Sequence, residues 1–183
     1  VKLPTREMAA GATPEQARAS LERDCYVSPE RAKLAVDCAQ ASLDAQRALK
    51  EDEVSLYVGI PFCPTRCAYC SFVSQDVEHA KKLMDPYFEM LLKEIEKVSQ
   101  VTKDLGLTLA TAYVGGGTPT TLEAPQLAEL LDRLRRAFQL APGTECTVEA
   151  GRPDTITREK LIAIREGGGN RISVNPQTMS DPV

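Results

Sequence analysis

Three cysteines fall within eight positions of the sequence, and their spacing is the first indication of chemistry. Cys63, Cys67 and Cys70 form a C-x3-C-x2-C loop that contains a proline. Thiolates this close together can converge on one metal centre, and sulfur ligands select zinc, copper(I) or iron-sulfur clusters. Four-iron clusters normally take four cysteines, so three local ligands would leave one iron with a free coordination position. Such an open iron indicates catalysis rather than electron transfer.

Two other interpretations of the loop stay open. The cysteines can be reduced packing residues, because a free cysteine behaves as a small hydrophobic side chain. Alternatively, structural zinc takes four ligands, and it could recruit Cys146 or His79, the one histidine of the chain. Cys146 is expected to pack inside a strand, and His79, which lies among charged residues, is expected to be solvated. Cys25 and Cys38 are expected to be packing residues of a helical segment.

The composition is that of an ordinary globular chain. It has 183 residues, a formal charge of -4, 43% hydrophobic and 26% charged residues, which suits one domain or a piece of a larger one. The acidic balance and the 5% aromatic content make nucleic acid an unexpected partner. No apolar run approaches the roughly 18 residues of a membrane span. The first residues lack the apolar core of a signal peptide, so we expect no membrane association and a cytoplasmic location.

The elements that must position these residues begin with a helical N-terminal segment at residues 1–52. Thr13 and Gln16 are spaced as a capping box around a proline at the first helical position. A second helix is predicted to begin after Ser28. Its apolar residues recur at steps of four and three, which predicts a buried face. That face comprises Leu34, Cys38, Ala41, Ala45 and Leu49.

From about residue 53, predicted strands and helices alternate. The strands are predicted at 54–60, 107–114, 144–150 and 171–175, and the helices at about 85–101, at 127–138, and between Thr157 and Gly167. This order implies parallel strands joined by right-handed crossovers, in either an open doubly wound sheet or a (βα) barrel. The cysteine loop directly follows the first strand, at the carboxyl edge where both folds build their sites.

Four motifs lie at the ends of the successive predicted strands. They are Tyr57-Val58-Gly59-Ile60-Pro61-Phe62 running into the cysteine loop, YVGGGTPT at 113–120, TVEAGRPD at 147–154 and RISVNPQ at 171–177. Together, over about residues 54–181, they resemble the motifs of radical S-adenosylmethionine (radical SAM) enzymes. More narrowly, they resemble the oxygen-independent coproporphyrinogen III oxidase group. The residues around Glu149 and Asn175 are most similar to a divergent, oxidase-like branch of the coproporphyrinogen dehydrogenase group.

The resemblance implies a particular α/β fold. This is a partial TIM-type (βα) barrel of the radical SAM kind at residues 53–183, with its first four βα units present. The sequence stops just past a predicted strand that has no covering helix, and it begins at Val1. We therefore expect a portion of a longer protein, truncated at its C-terminus.

The resemblance also implies the cofactors and the residues that bind them. Cys63, Cys67 and Cys70 would hold a 4Fe-4S cluster, whose fourth iron takes the amino and carboxylate groups of S-adenosylmethionine. The residues expected to contact that cofactor are Tyr57, Tyr69, Gly116, Gly117, Thr118, Glu149 and Gln177.

Each predicted contact has a physical reason. Adjacent glycines let a backbone approach the methionine part of the cofactor, because no Cβ intervenes. Glu149 and Gln177 are expected to reach towards the ribose, as acidic residues do in dinucleotide sites. Arg66, Arg152 and Arg171 are expected to be surface, helix-end or loop charges, although Arg152 and Arg171 could meet carboxylates and Arg66 is better placed near the cluster. None of the three is assigned to the site, and no residue is assigned as a catalytic acid or base.

The activity implied by the resemblance is that of an oxidoreductase of haem and porphyrin biosynthesis. A 5'-deoxyadenosyl radical would initiate the oxidative decarboxylation of porphyrinogen propionates to vinyl groups. The partners would be a small-molecule tetrapyrrole and an external electron donor such as a flavodoxin or ferredoxin. A haem-binding chaperone of the same family and a zinc-stabilised binding module are the alternatives. We expect these 183 residues alone to be a poor catalyst, because missing barrel strands would leave the pocket open.

Overall fold

The computed structural model describes residues 1–180, which form two compact units, Val1–Glu51 and the chain from Asp52 onward. Each unit has a hydrophobic core cluster of its own. Residues 181–183, at the end of the predicted barrel, lie outside the described residues. None of the helices in residues 1–180 has the length and apolar character that a membrane span requires.

The first unit consists of three helices, α1 (Lys2–Ala9), α2 (Pro14–Asp24) and α3 (Pro29–Ala48). The predicted capping box is confirmed at the start of α2. The backbone N–H of Gln16 donates to Thr13 Oγ1 at 3.2 Å, and the backbone N–H of Thr13 donates to Gln16 Oε1 at 2.9 Å. Helix α3 begins after Ser28 as predicted, although the Ser28 side chain makes no capping hydrogen bond.

The predicted buried face of α3 is wrong. Leu34 is 62% exposed and Cys38 is exposed as well. The helix instead buries a stripe at steps of four, three and four, made of Ala32, Val36, Ala39 and Leu43. Alanine at the contact lets neighbouring helices approach closely, and a ranking by hydrophobicity misses this preference for small side chains.

The prediction that Cys25 and Cys38 are packing residues is also wrong, because both are exposed. Cys25 is the C-cap residue of α2, where the chain leaves the helix, and Cys38 lies on the outer side of α3. The residues that do form the core of the first unit are Met8, Ala17, Leu21, Ala32, Val36, Ala39 and Leu43.

The second unit alternates strands and helices, as predicted. Its elements in chain order are β1 (Glu53–Ile60), β2 (Phe62–Cys63), β3 (Gln75–Asp76), α4 (Val77–Asp104), β4 (Thr108–Gly116), α5 (Ala124–Phe138), β5 (Glu145–Glu149), α6 (Arg158–Glu166) and β6 (Arg171–Ser173). The four-stranded sheet has the order β1-β4-β5-β6, and every neighbouring pair is parallel. Strands β2 and β3 form a separate parallel pair on either side of the cysteine loop.

Helix α4 begins at Val77 rather than near Asp85, and this is the largest change in a predicted boundary. Asp76 caps the helix, because its Oδ1 accepts from the backbone N–H of Glu78 at 2.7 Å. Pro86 therefore lies inside the helix. Proline has no N–H and is normally found in the first turn, so the sequence favours a later start. Buried Ala80 anchors the additional turns to the core.

The core of the second unit lies between one face of the sheet and its helices. Val58, Val114, Val148 and Cys146 are buried there among residues of α4, α5 and α6, which confirms the packing role predicted for Cys146. Side chains of a strand alternate between the two faces. Residues one step away, such as Tyr57, therefore lie on the opposite face of the sheet, towards the site.

Candidate functional site around the cysteine loop

A cavity of about 290 Å³ at the carboxyl edge of the sheet brings the predicted site residues together. Its lining includes the predicted residues Cys63, Cys67, Cys70, Tyr69, Gly116, Gly117, Thr118, Glu149 and Gln177. Phe72, Gly151, Arg152 and Asn175 line it as well, although the sequence analysis did not assign them. Tyr57 is the one predicted residue outside this lining. The site is thus assembled from the ends of four strands that are distant in the sequence.

Each of the three cysteine sulfurs in the loop accepts a hydrogen bond. Thr118 Oγ1 donates to Cys63 Sγ at 3.5 Å, an N–H of Arg152 donates to Cys67 Sγ at 3.6 Å, and the backbone N–H of Phe72 donates to Cys70 Sγ at 3.4 Å. All three thiols are half-buried. Hydrogen bonds to the ligands orient them and tune a metal centre, so the loop already has the second layer of contacts that such a centre uses.

The glycines after β4 allow two strand ends to approach each other. A Cβ on Gly117 would lie 2.6 Å from the carbonyl oxygen of Phe62 and 2.9 Å from Cys63 Sγ. Gly116 has a φ of +116°, and a Cβ there would lie 2.8 Å from the backbone nitrogen of Ile60. The backbone N–H of Gly117 donates to the carbonyl of Ile60 at 2.8 Å. These glycines hold the β4 end against the strand that leads into the cysteine loop, and their contact with a cofactor stays a prediction.

A carboxylate and two phenols share the site face of the sheet. Tyr113 donates to Glu149 Oε1 at 2.6 Å, and the rings of Tyr57 and Tyr113 are stacked with their centroids 5.8 Å apart. The hydrogen bond to Glu149, together with burial, raises the pKa of Tyr113 to about 12. Burial and then the negative charge of Glu149 also raise the pKa of Tyr57.

Tyr113 is a site residue that the sequence analysis missed. A signal was present, because Tyr113 lies two positions before Gly115 and alternate residues of a strand share one face. Gly115 leaves room for the two tyrosines and Glu149, because a Cβ there would lie 2.9 Å from the Tyr57 hydroxyl and 3.0 Å from Glu149 Oε2.

Gln177 connects three loops at the mouth of the cavity. Its Nε2 donates to the carbonyl of Gly151 at 2.7 Å, and its Oε1 accepts from the Tyr69 hydroxyl at 2.6 Å. The φ of Gln177 is 63°, a left-handed conformation that non-glycine residues rarely adopt. Tyr69 and Gln177 therefore contact each other directly, and their roles towards a cofactor stay predictions.

Two of the three arginines are exposed charges as expected, and Arg152 is not. Arg152, expected at the surface, is only 20% exposed in its side chain and lies against the cysteine loop. Arg66, expected to be a solvated charge of the cysteine loop, is exposed. Arg171 is a surface charge paired with Glu145 at 3.0 Å. The position of Arg152, three residues past Glu149 at the same edge of the sheet, was the available signal.

The three thiols of the loop are soft donors of the kind that bind zinc, copper(I) or iron-sulfur clusters. Within residues 1–180, no three Cys, His, Asp or Glu side chains are grouped so that they could hold one metal ion. The two candidates for a fourth zinc ligand lie elsewhere. His79 is 83% exposed in its side chain beside Asp76, and Cys146 is buried on the opposite face of the sheet. The zinc interpretation therefore has no geometric support in the described part of the chain.

Comparison with known proteins identifies relatives of the chain. The profile of the radical SAM superfamily matches residues 57–183. The chain is 38% identical over 180 residues to the oxygen-independent coproporphyrinogen-III oxidase-like protein HemZ of Bacillus subtilis (strain 168), a match that covers 97% of this chain and 36% of HemZ. It is 34% identical over 137 residues to the heme chaperone HemW of Escherichia coli (strain K12), covering 73% of this chain and 34% of HemW.

A solved structure confirms the predicted fold class. The coproporphyrinogen III oxidase HemN from Escherichia coli, described as a radical SAM enzyme, matches with a TM-score of 0.64 and 32% identity. The match covers 78% of this chain and 32% of HemN. The chain thus spans about a third of the length of the relatives that it matches.

Proposed function

The chain belongs to the radical SAM superfamily. We propose that it forms the cofactor-binding part of a radical SAM oxidoreductase that acts on a tetrapyrrole. The cofactors of the family are a 4Fe-4S cluster and S-adenosylmethionine. When bound, these groups supply the radical chemistry, and the protein binds, orients and shields them. The finer proposal is the reaction implied by the HemN and HemZ likeness, the oxidative decarboxylation of coproporphyrinogen III.

One observation carries the proposal, namely the convergence of four strand ends on a single cavity that contains three thiols and a carboxylate. Cys63, Cys67 and Cys70 would hold the cluster, because three thiolates leave one of four irons open to a further ligand. The backbone at Gly116 and Gly117 is free of side chains at this edge. It can therefore bring its N–H and C=O groups close to the methionine part of the cofactor.

Glu149 would bind the ribose hydroxyls of the cofactor. Its Oε1 accepts from Tyr113 at 2.6 Å, which fixes the orientation of the carboxylate. Its Oε2 retains acceptor capacity, because a carboxylate has about four lone-pair sites. Tyr113 is then a positioning residue for Glu149.

The extent of the similarity to HemZ supports the oxidase-like assignment. A match over 180 of 183 residues includes the three-helix unit as well as the α/β unit. The match to HemW spans 137 residues, which is too short to include both units in full. The electron donor would be an external flavodoxin or ferredoxin. An oxygen-labile cluster at the mouth of a barrel favours the reducing cytoplasm as its location.

The similarity to HemW supports a second candidate, a haem-binding chaperone. The two functions differ in what happens to the tetrapyrrole. An oxidase converts it with consumption of S-adenosylmethionine, whereas a chaperone binds haem stably and releases it unchanged.

The test is an anaerobic incubation of the whole protein with reconstituted cluster, S-adenosylmethionine, a reductant, coproporphyrinogen III and a one-electron acceptor, which takes up the electron that is released with carbon dioxide. We expect 5'-deoxyadenosine and a product that has lost carbon dioxide, both detected by mass spectrometry. Stable binding of haem with no product would favour the chaperone instead. A cluster-loaded protein that shows no turnover and binds no haem would contradict the tetrapyrrole assignment.

A further inference from the structure

We propose that Arg152 is a positioning residue that clamps the cysteine loop and tunes the cluster through a hydrogen bond to Cys67 Sγ. The proposal rests on the function proposed above, because that function assigns the cluster to Cys67. It goes beyond that function by giving a role to a residue outside the cysteine and glycine motifs.

The guanidinium of Arg152 has no unused donor. Two N–H groups donate to the carboxylate of Asp154, at 3.3 Å from Nε and 3.2 Å from Nη2. Two others donate to Thr65, at 3.4 Å to its carbonyl and 3.2 Å to its hydroxyl, and the fifth donates to Cys67 Sγ at 3.6 Å. Arginine has five N–H donors in a planar fork, so all five are engaged.

Because all five N–H donors are engaged, Arg152 differs from an arginine that binds a ligand. Bidentate capture of a carboxylate from S-adenosylmethionine or a propionate requires two parallel N–H groups. Arg152 already uses such a pair on Asp154 and directs the remaining three to the cysteine loop. It therefore acts on the loop rather than on a ligand carboxylate.

The backbone of Arg152 is anchored on the other side. Its carbonyl accepts from the backbone N–H of Thr155 at 3.0 Å and from the Thr155 hydroxyl at 2.7 Å. The same hydroxyl lies 2.6 Å from the hydroxyl of Thr120, which follows the glycine motif. The segments that follow β4 and β5 thus fix the backbone of Arg152. Its side chain in turn restrains the cysteine loop.

Two consequences follow for a bound cluster. A loop that is held at Thr65 and Cys67 should retain a cluster longer than an unrestrained loop does. Residues that hydrogen-bond to metal ligands typically contribute about 10-fold to 100-fold to the affinity for the metal. A cationic N–H donor on a ligand sulfur also favours the more negative, reduced cluster. Hydrogen bonds to the sulfurs are among the factors that set cluster potentials. Arg152 should therefore slow iron loss and raise the midpoint potential.

The test compares R152M with R171M in the whole protein. Arg171 is the matched control, because it is an exposed arginine that pairs with a carboxylate, Glu145. Glu145 begins β5, whereas Arg152 follows the other end of that strand. In the metal-free proteins, we expect hydrogen exchange across residues 63–72 to be faster in R152M than in the wild type and unchanged in R171M. After anaerobic reconstitution, R152M should lose iron to a chelator about ten times faster. It should also show a lower midpoint potential in a titration followed by electron paramagnetic resonance.

Two further variants protect the test against misfolding of R152M. R152K keeps the positive charge, so it should restore part of the midpoint potential. Its three donors lie on one nitrogen and cannot reproduce the fork, so it should restore little of the hydrogen-exchange protection of the loop. D154N replaces the carboxylate that orients the guanidinium with a neutral amide. It should shift the loop exchange and the midpoint potential in the same direction as R152M does.

The outcomes separate the clamp from the cluster assignment. A wild-type protein that binds four irons, with unchanged loop exchange, iron loss and potential in R152M, overturns the role of Arg152 and leaves the proposed function intact. A wild-type protein that binds no cluster defeats the proposed function and the tuning of the potential. In that case the exchange measurement on the metal-free proteins still decides the clamp.

Discussion

The six cysteines of the chain differ in their surroundings, and the differences assign them separate roles. Three are half-buried at one cavity, where each sulfur accepts a hydrogen bond. Cys146 is buried in the core, and burial raises the pKa of its thiol, which disfavours the thiolate that a metal needs. Cys25 and Cys38 are exposed in the three-helix unit. Only the first group combines proximity with access to a cavity.

Replacement of one loop cysteine should abolish cluster uptake. In C67A, two thiolates remain in the loop, which is half of the four that a four-iron cluster normally takes. In C25A the loop is intact, so uptake should equal that of the wild type. Iron and sulfide per chain after anaerobic reconstitution measure the difference. Equal losses in the two variants would disprove the assignment of the cluster to the loop.

Ionisation of Tyr113 should depend on Glu149. The pKa of Tyr113 rises from 10.0 to about 12, first because its hydroxyl donates to the Glu149 carboxylate and second because of burial. A raised pKa means that the contribution to stability is complete below about pH 10 and is lost as the pH rises through about 12. The variant E149Q removes the charged acceptor and should move the tyrosine titration, followed by phenolate absorbance, to lower pH. Superimposable titration curves for the wild type and E149Q would argue against this coupling.

At this scale, the sequence predicted residues that belong to a local motif and missed those that depend on distant contacts. The three cysteines are recognisable from their spacing, and the glycines were assigned through the resemblance of their motif to that of the radical SAM family. Tyr113 meets its partner 36 positions away and Arg152 meets Cys67 85 positions away, so a local pattern can place each residue at the site edge of the sheet but cannot identify its partner. Their roles follow from the parallel strand order, which brings the carboxyl ends together.

Among the elements, the close approach of the β4 end to the cysteine strand is the feature most sensitive to substitution. In G117A the added Cβ would meet the Phe62 carbonyl at 2.6 Å and Cys63 Sγ at 2.9 Å. We expect a loss of about 2 kcal/mol of stability, measured by chemical denaturation, together with reduced cluster uptake.

The matched control for this prediction is G59A. A Cβ on Gly59 would meet only Tyr57 Cε1, at 3.8 Å, which is an ordinary contact. Stability and cluster uptake should therefore stay near the wild-type values. A G117A protein that behaves like G59A would show that the strand ends can separate at little cost.

The capping box of α2 should contribute measurably to the stability of the three-helix unit. T13A removes the oxygen that accepts from the backbone N–H of Gln16, at a cost of about 1 kcal/mol. S28A changes the N-cap residue of α3, whose side chain makes no such bond, so its effect should be only a few tenths of a kcal/mol. Thermal unfolding followed by circular dichroism compares the two. A larger effect in S28A than in T13A would contradict the capping assignment.

The order of the elements was predictable, whereas boundaries and one helix face were not. Strands that alternate with helices leave parallel pairing as the natural solution, so the sheet follows from the pattern. The start of α4 depends on Asp76 and on the burial of Ala80, which outweigh the signal from Pro86. The buried stripe of α3 depends on which residues are small enough for its neighbours, and that is a property of packing.

For the whole molecule, we propose that residues 1–52 and 53–183 are separate domains. The two compact units of the structure and their separate hydrophobic clusters support this division. The long match to HemZ indicates that both units occur together in a relative. The substrate could not be predicted from the sequence with the same sharpness, because relatives of one family include proteins named as an oxidase and as a chaperone.

The most direct test of an open cluster on the cysteine loop is electron paramagnetic resonance of the anaerobically reconstituted, reduced protein, with and without S-adenosylmethionine. We expect a four-iron signal that shifts when the cofactor is added, because three cysteines leave one iron open to its amino and carboxylate groups. A colourless protein that retains zinc, or a four-iron signal that is indifferent to the cofactor, would contradict an open cluster on Cys63, Cys67 and Cys70.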